Sequence, residues 1–163
     1  YDYDRHQVEA ATKHSELVAL ELTSLKKKVE HLGEVSVSWH VDLNEMRASS
    51  AVDINSKVFS VFVPGVGEYN CTLKGYNRMG EKRFVGLYLR VQKGPIFPVS
   101  IALAKFICGE ITRKLSDYVM DAPQGRGYSN FMTDTQAEAA KDAEGCLLIT
   151  AKIQLKCDSA LSI

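Results

Sequence analysis

The sequence predicts a mainly β protein: an antiparallel sandwich of seven to eight strands, preceded by a coiled-coil helix that pairs in parallel. Three observations carry this expectation. Apolar residues recur with a seven-residue repeat up to Leu32, and the period drops to two beyond Gly33. Helical patterning is then nearly absent among the strand-like runs that follow. Gly33 therefore divides an oligomerisation helix at 1–33 from a β domain at 34–163.

In the first segment Val8, Ala11, Ser15, Val18, Leu22, Leu25, Val29 and Leu32 succeed one another at spacings that alternate between three and four. That is the 3.5-residue period of a left-handed coiled coil, with Val8, Ser15, Leu22 and Val29 at a and the others at d. Glu21 falls at g and Lys26 at the following e, the spacing that pairs charges across parallel helices. Val and Leu in the seam fit a dimer as well as a trimer. The competing reading is a single amphipathic helix lying on its own domain.

From Glu34 onward Val35, Val37, Trp39, Val41 and Leu43 alternate with Ser36, Ser38, His40 and Asp42, as in a half-buried antiparallel strand. Further β-rich runs are 57–63, 69–76, 83–92, 98–107, 118–120 and 146–155. Turns are expected at Pro64-Gly65, at 77–80, at Gly94-Pro95 and at 124–127. The alanine-rich stretch 135–144 suits one short helix or a loop. Trp39, Leu73, Leu87, Leu89 and Ile149 are expected in the core, with Trp39 between the sheets.

Composition excludes several classes. Twenty basic and twenty acidic residues cancel, against a nucleic-acid binder with a basic face. No stretch approaches the roughly 20 apolar residues of a membrane span. The chain begins at Tyr1 without a signal-like apolar run and reads as a fragment of a longer protein. Cys71, Cys108, Cys146 and Cys157 are dispersed and never form CxxC, so neither a zinc cluster nor any other metal site or cofactor is expected. Three of these cysteines lie in apolar runs, which favours reduced thiols and a cytoplasmic setting, with the nucleus as an alternative. No nucleophile elbow, HExxH or P-loop occurs, and His6, His14, His31 and His40 cluster in the first quarter of the chain. No catalytic residues are expected, and binding or assembly is favoured over enzymology.

A coiled coil running into a β-sandwich resembles the TRAF domain, whose sandwich belongs to the MATH family. Ser38-Trp39-His40-Val41 resembles its aromatic first strand, and Ser56 to Val61 the strand after the first long loop. Tyr69 to Asn77 (YNCTLKGYN) resembles the hallmark strand, and Phe84 to Pro95 the next core strand with its Lys-Gly-Pro turn. Phe97-Pro98 stands where the family carries Trp-Pro. Ser129-Asn130-Phe131 resembles the motif before the late loop, and Cys146 to Leu155 the last strand.

The resemblance implies a parallel homotrimer and a partner peptide that adds along an edge strand while its side chains enter shallow pockets. Lys74, Tyr76 and Ser129 occupy positions that contact peptide, and a lysine there would pair with an acidic side chain. The family's carboxylate after the tyrosine is replaced by Asn77-Arg78-Met79-Gly80. The expected role is an adaptor for short protein segments. A structural scaffold in a cytoskeletal or chromosome-segregation complex is the main alternative, and a carbohydrate-binding sandwich a weaker one.

Overall fold

The computed structural model describes residues 2–31, 34–48, 54–78 and 83–157, with side-chain surroundings omitted at 2–3, 26–31 and Arg78. The chain separates into two compact units, Tyr1–Leu32 and Gly33–Ile163.

The first unit is helix α1, Asp2–His31. Its run has no proline or glycine, and an Arg5–Glu9 pair one turn apart supports it at 3.6 Å. The seam residues Val8, Ala11, Ser15, Val18, Leu22 and Leu25 are all exposed. Leu17 and Leu20, off the seam, are exposed as well. The surroundings of Val29, and Leu32 altogether, lie outside the described residues.

The second unit is mainly β, with two antiparallel sheets whose side chains meet in one core. Its elements in order are β1 (Glu34–Asp42), α2 (Leu43–Ala48), β2 (Ile54–Asn55), β3 (Phe59–Val63), β4 (Gly67–Arg78), β5 (Phe84–Lys93) and β6 (Val99–Cys108). Then come β7 (Ile111–Leu115), β8 (Tyr118–Met120), β9 (Gln124–Thr133), α3 (Asp134–Ala140) and β10 (Cys146–Cys157). One sheet runs β1-β10-β6-β7, with β8 also on β6. The other runs β2-β4-β5-β9, with β3 also on β4.

Alternation decides which side chains are buried. Along β10, Leu147, Ile149, Ala151, Ile153 and Leu155 point inward, while Leu148 is exposed. Leu73, Leu87 and Leu89 line the opposite sheet's inner face, and Phe106 meets Phe131 edge-to-face at 6.4 Å between ring centres.

Four expectations need correction. Trp39 is half-buried rather than enclosed: its indole reaches the opposite sheet, 3.2 Å from where a Gly75 Cβ would stand, but β1 is an end strand of its sheet among the described residues. Leu43 does not extend β1 but opens α2, where an Asp42 carboxylate oxygen accepts from the Asn44 and Glu45 amides at 2.7 and 3.4 Å.

The stretch 124–127 is strand, not turn. A Cβ at Gly127 would sit 2.1 Å from the Leu87 carbonyl oxygen, so glycine here permits close approach of β9 to β5. Finally, the described residues form ten strands instead of seven to eight; β2, β7 and β9 are the additions to the seven runs expected.

The stretch 135–144 supplies α3, capped by Thr133 and Gln136, which accept each other's backbone amides. Arg47 of α2 reaches this helix through Asp134 at 3.0 Å and Glu138 at 2.6 Å. Lys141, and then Arg47, hold the Glu138 carboxyl below its ordinary value. A depressed carboxylate contributes stability above its unfolded pKa and loses it as pH falls through the folded one. Acidification below about pH 4.3 is therefore expected to lower the melting temperature of wild type more than that of Glu138→Gln. Parallel wild-type and variant curves in thermal melts across that range would contradict the clamp.

Candidate functional site

The core phase of β4 determines what its outer face offers. Cys71 and Leu73 are fully buried, so the alternate residues Lys74 and Tyr76 project together from the other side of the sheet. Antiparallel register then sets Tyr88 of β5 opposite Lys74, Arg90 opposite Thr72 and Gly86 opposite Tyr76. These positions share one face because cross-strand partners point the same way.

Tyr76 lies over β5 because Gly86 has no side chain there. A Cβ at that position would come within 2.6 Å of the ring. The Tyr76 and Tyr88 rings are 5.5 Å apart between centres at 31°, and their hydroxyls meet at 3.2 Å. On the same face Thr72 is buried, and its hydroxyl accepts from Gln92 at 3.4 Å.

The result is a groove of about 590 Å³ lined by Lys74, Tyr76, Tyr88, Arg90, Pro123, Gln124 and Gly125. Two cations and two aromatic rings line it, and among the described residues no lining side chain is acidic. Such a surface attracts a carboxylate or phosphate electrostatically, and the rings offer flat apolar area with hydroxyl handles.

Gln124 and Gly125 belong to β9, the end strand of this sheet, which pairs only with β5 among the described residues. Its inner side is tied to the other sheet. The Tyr128 hydroxyl donates to the Lys114 carbonyl of β7, and the Arg126 guanidinium lies 4.4 Å from the centre of the Tyr118 ring on β8. The groove thus borders a sheet edge that is held in place.

The structure brings two of the three expected peptide contacts together and leaves the third apart. Lys74 and Tyr76 share the groove. Ser129 is half-buried on β9, beside the register shift between Val85 and Leu87, and does not line it. Lys74 and Tyr76 also do not flank an edge, since β4 pairs with β5 on one side and with β2 and β3 on the other. Among the described residues the sheet ends at β2 and β3 beside β4 and at β9 one strand beyond β5, and of these ends only β9 contributes to the groove lining.

Tyr88 and Arg90 complete the groove and escaped the sequence reading. Their spacing of two within the Phe84–Lys93 strand marks them as one face. The register that sets them beside Lys74 is a long-range property.

A second cluster lies on the other sheet. The His40 Nε2 atom is 2.7 Å from an Asp142 carboxylate oxygen, and the Cys146 thiol lies within 4.8 Å of both donor groups. Cys71 and Cys108 are different in kind: burial pushes their thiols up to about 12 and about 11, which keeps them as protonated core residues. Among the described residues no helix is long and apolar enough to cross a membrane. No protein-family model matches the chain, and no curated protein matches it in sequence.

Proposed function

We propose that this chain is a non-enzymatic, oligomeric interaction module of the TRAF type, in which a two-sheet sandwich binds an extended acidic segment of a partner protein. The observation that carries the reading is the basic aromatic groove beside the β9 edge. In this arrangement the peptide backbone adds to β9, and alternate side chains reach over Gly125 toward Tyr88, Arg90, Tyr76 and Lys74. An acidic side chain is neutralised between the two cations, while an apolar neighbour rests on the rings.

Each such contact is shallow, so a single site binds at micromolar strength. The exposed seam of α1 supports the second half of the proposal. A parallel trimer, or a dimer, would present several grooves at once and convert weak contacts into avidity for a multivalent partner.

The test is selection of short linear peptides, displayed on phage, against the whole chain with counter-selection on Lys74→Glu. Enriched peptides are expected to carry an Asp or Glu and to lose at least about ten-fold in affinity on Lys74→Glu, more at low salt, with thermal stability nearly unchanged. Equal affinity for both proteins would remove the groove from the account.

A further inference from the structure

We infer that His40, Asp142 and Cys146 form a binding site for a divalent transition-metal ion of the zinc class, independent of the peptide groove. The three donors come from different parts of the body: His40 from β1, Asp142 from the loop after α3, and Cys146 from the start of β10. Strand register assembles them. Asp42 pairs with Cys146 and His40 with Leu148, so the His40 and Cys146 side chains leave the same outer face of the β1–β10 pair.

Asp142 is held in place from behind. One of its carboxylate oxygens accepts from the Glu144 and Cys146 amides, both at 2.9 Å, which leaves the other directed at His40. The loop is closed again by the Asp142 amide donating to the Cys146 carbonyl at 2.9 Å. It is fastened to β1's end by the Leu43 amide donating to the Gly145 carbonyl at 3.0 Å. This is the orientation of ligands by surrounding hydrogen bonds that metal sites require.

The donor set and spacing select the ion. A nitrogen, a carboxylate oxygen and a sulfur suit a borderline-soft cation rather than calcium or magnesium, which take oxygen ligands. Donor atoms around tetrahedral zinc, with bonds of about 2.0–2.3 Å, are separated by about 3.3–3.6 Å. The His40–Asp142 contact of 2.7 Å must open slightly and the thiol, within 4.8 Å, must close slightly. Rotation of partly exposed side chains accomplishes both. Three protein ligands leave a fourth position open.

The charge surroundings separate this reading from a nucleophilic thiol. The carboxylates of Asp142, Asp42, Glu144 and Glu45 all act on the Cys146 thiol electrostatically. A field of carboxylates opposes a free thiolate, whereas it attracts a dication that would itself stabilise the thiolate.

The experiment uses the whole chain, freed of metal and reduced with a non-chelating phosphine, and titrates it with Co²⁺. A thiolate-to-cobalt charge-transfer band is expected to saturate at a stoichiometric ratio and to disappear when Zn²⁺ is added. Cys146→Ser should abolish the band. His40→Ala and Asp142→Asn should weaken cobalt binding by about ten-fold or more. Asparagine keeps an oxygen for the loop amides, so that variant isolates ligation from folding. Zn²⁺ should raise the melting temperature of wild type and leave that of Cys146→Ser unmoved. Absence of the band in wild type, or its persistence in Cys146→Ser, would overturn the assignment.

Discussion

Leu87→Ala is expected to destabilise the β body by about 2–5 kcal/mol, the range for a buried leucine cut to alanine. Leu87 is fully buried on β5, between Gly75 of β4 and Tyr128 of β9. Both neighbouring strands are fixed by their ladders, so the walls of the cavity have little freedom to collapse. Against a typical total of about 5–15 kcal/mol this is a large share, and a lower urea midpoint with an unchanged slope would report it. Leu148→Ala is the control, because that side chain is 55% exposed and its removal should change stability by no more than about 0.5 kcal/mol. Similar losses for the two variants would mean that the alternation along these strands has been misassigned.

The second large effect concerns assembly. Wild type is expected to scatter light as two or three times 18.1 kDa, and Leu22→Asp combined with Leu25→Asp as 18.1 kDa. Leu22 and Leu25 are 61% and 56% exposed on α1, far more than an isolated soluble helix needs to present along one line. Carboxylates facing each other in a dry seam cost several kcal/mol per chain, on the order of the whole stability of a short coil. The β body has its own core, so its melting curve should survive the change. A wild-type monomer at high concentration would remove the multivalent half of the proposal.

How far the sequence reaches depends on the range of the interaction involved. Patterns carried by adjacent residues are legible: the two-residue period of β1 identified its inward face, and the same rule set Lys74 and Tyr76 side by side. Elements held by one cap or one close approach were misread. Asp42 with Glu45 three positions later is a helix-start signal, but it hides behind the alternating run that ends at Leu43. The stretch 124–127 read as a turn because the Leu87 carbonyl that Gly127 must accommodate is about 40 residues away in sequence.

The sites follow the same logic. Two of the seven lining residues, Lys74 and Tyr76, come from one strand, and Tyr88 and Arg90 join them only through register. His40 and Asp142 are 102 residues apart, and only the β1–β10 pairing makes them neighbours. No spacing rule for metal ligands could have found them.

The most direct test of the central claim is amide mapping by nuclear magnetic resonance of the isotope-labelled chain, titrated with an acidic peptide from the selection. The account predicts that exchange slows at those β9 amides between Gln124 and Ser129 that do not pair with β5, while resonances around Lys74, Tyr76, Tyr88 and Arg90 shift in step. Changes confined to α1, or to the face carrying His40 and Cys146, with β9 unprotected, would contradict it.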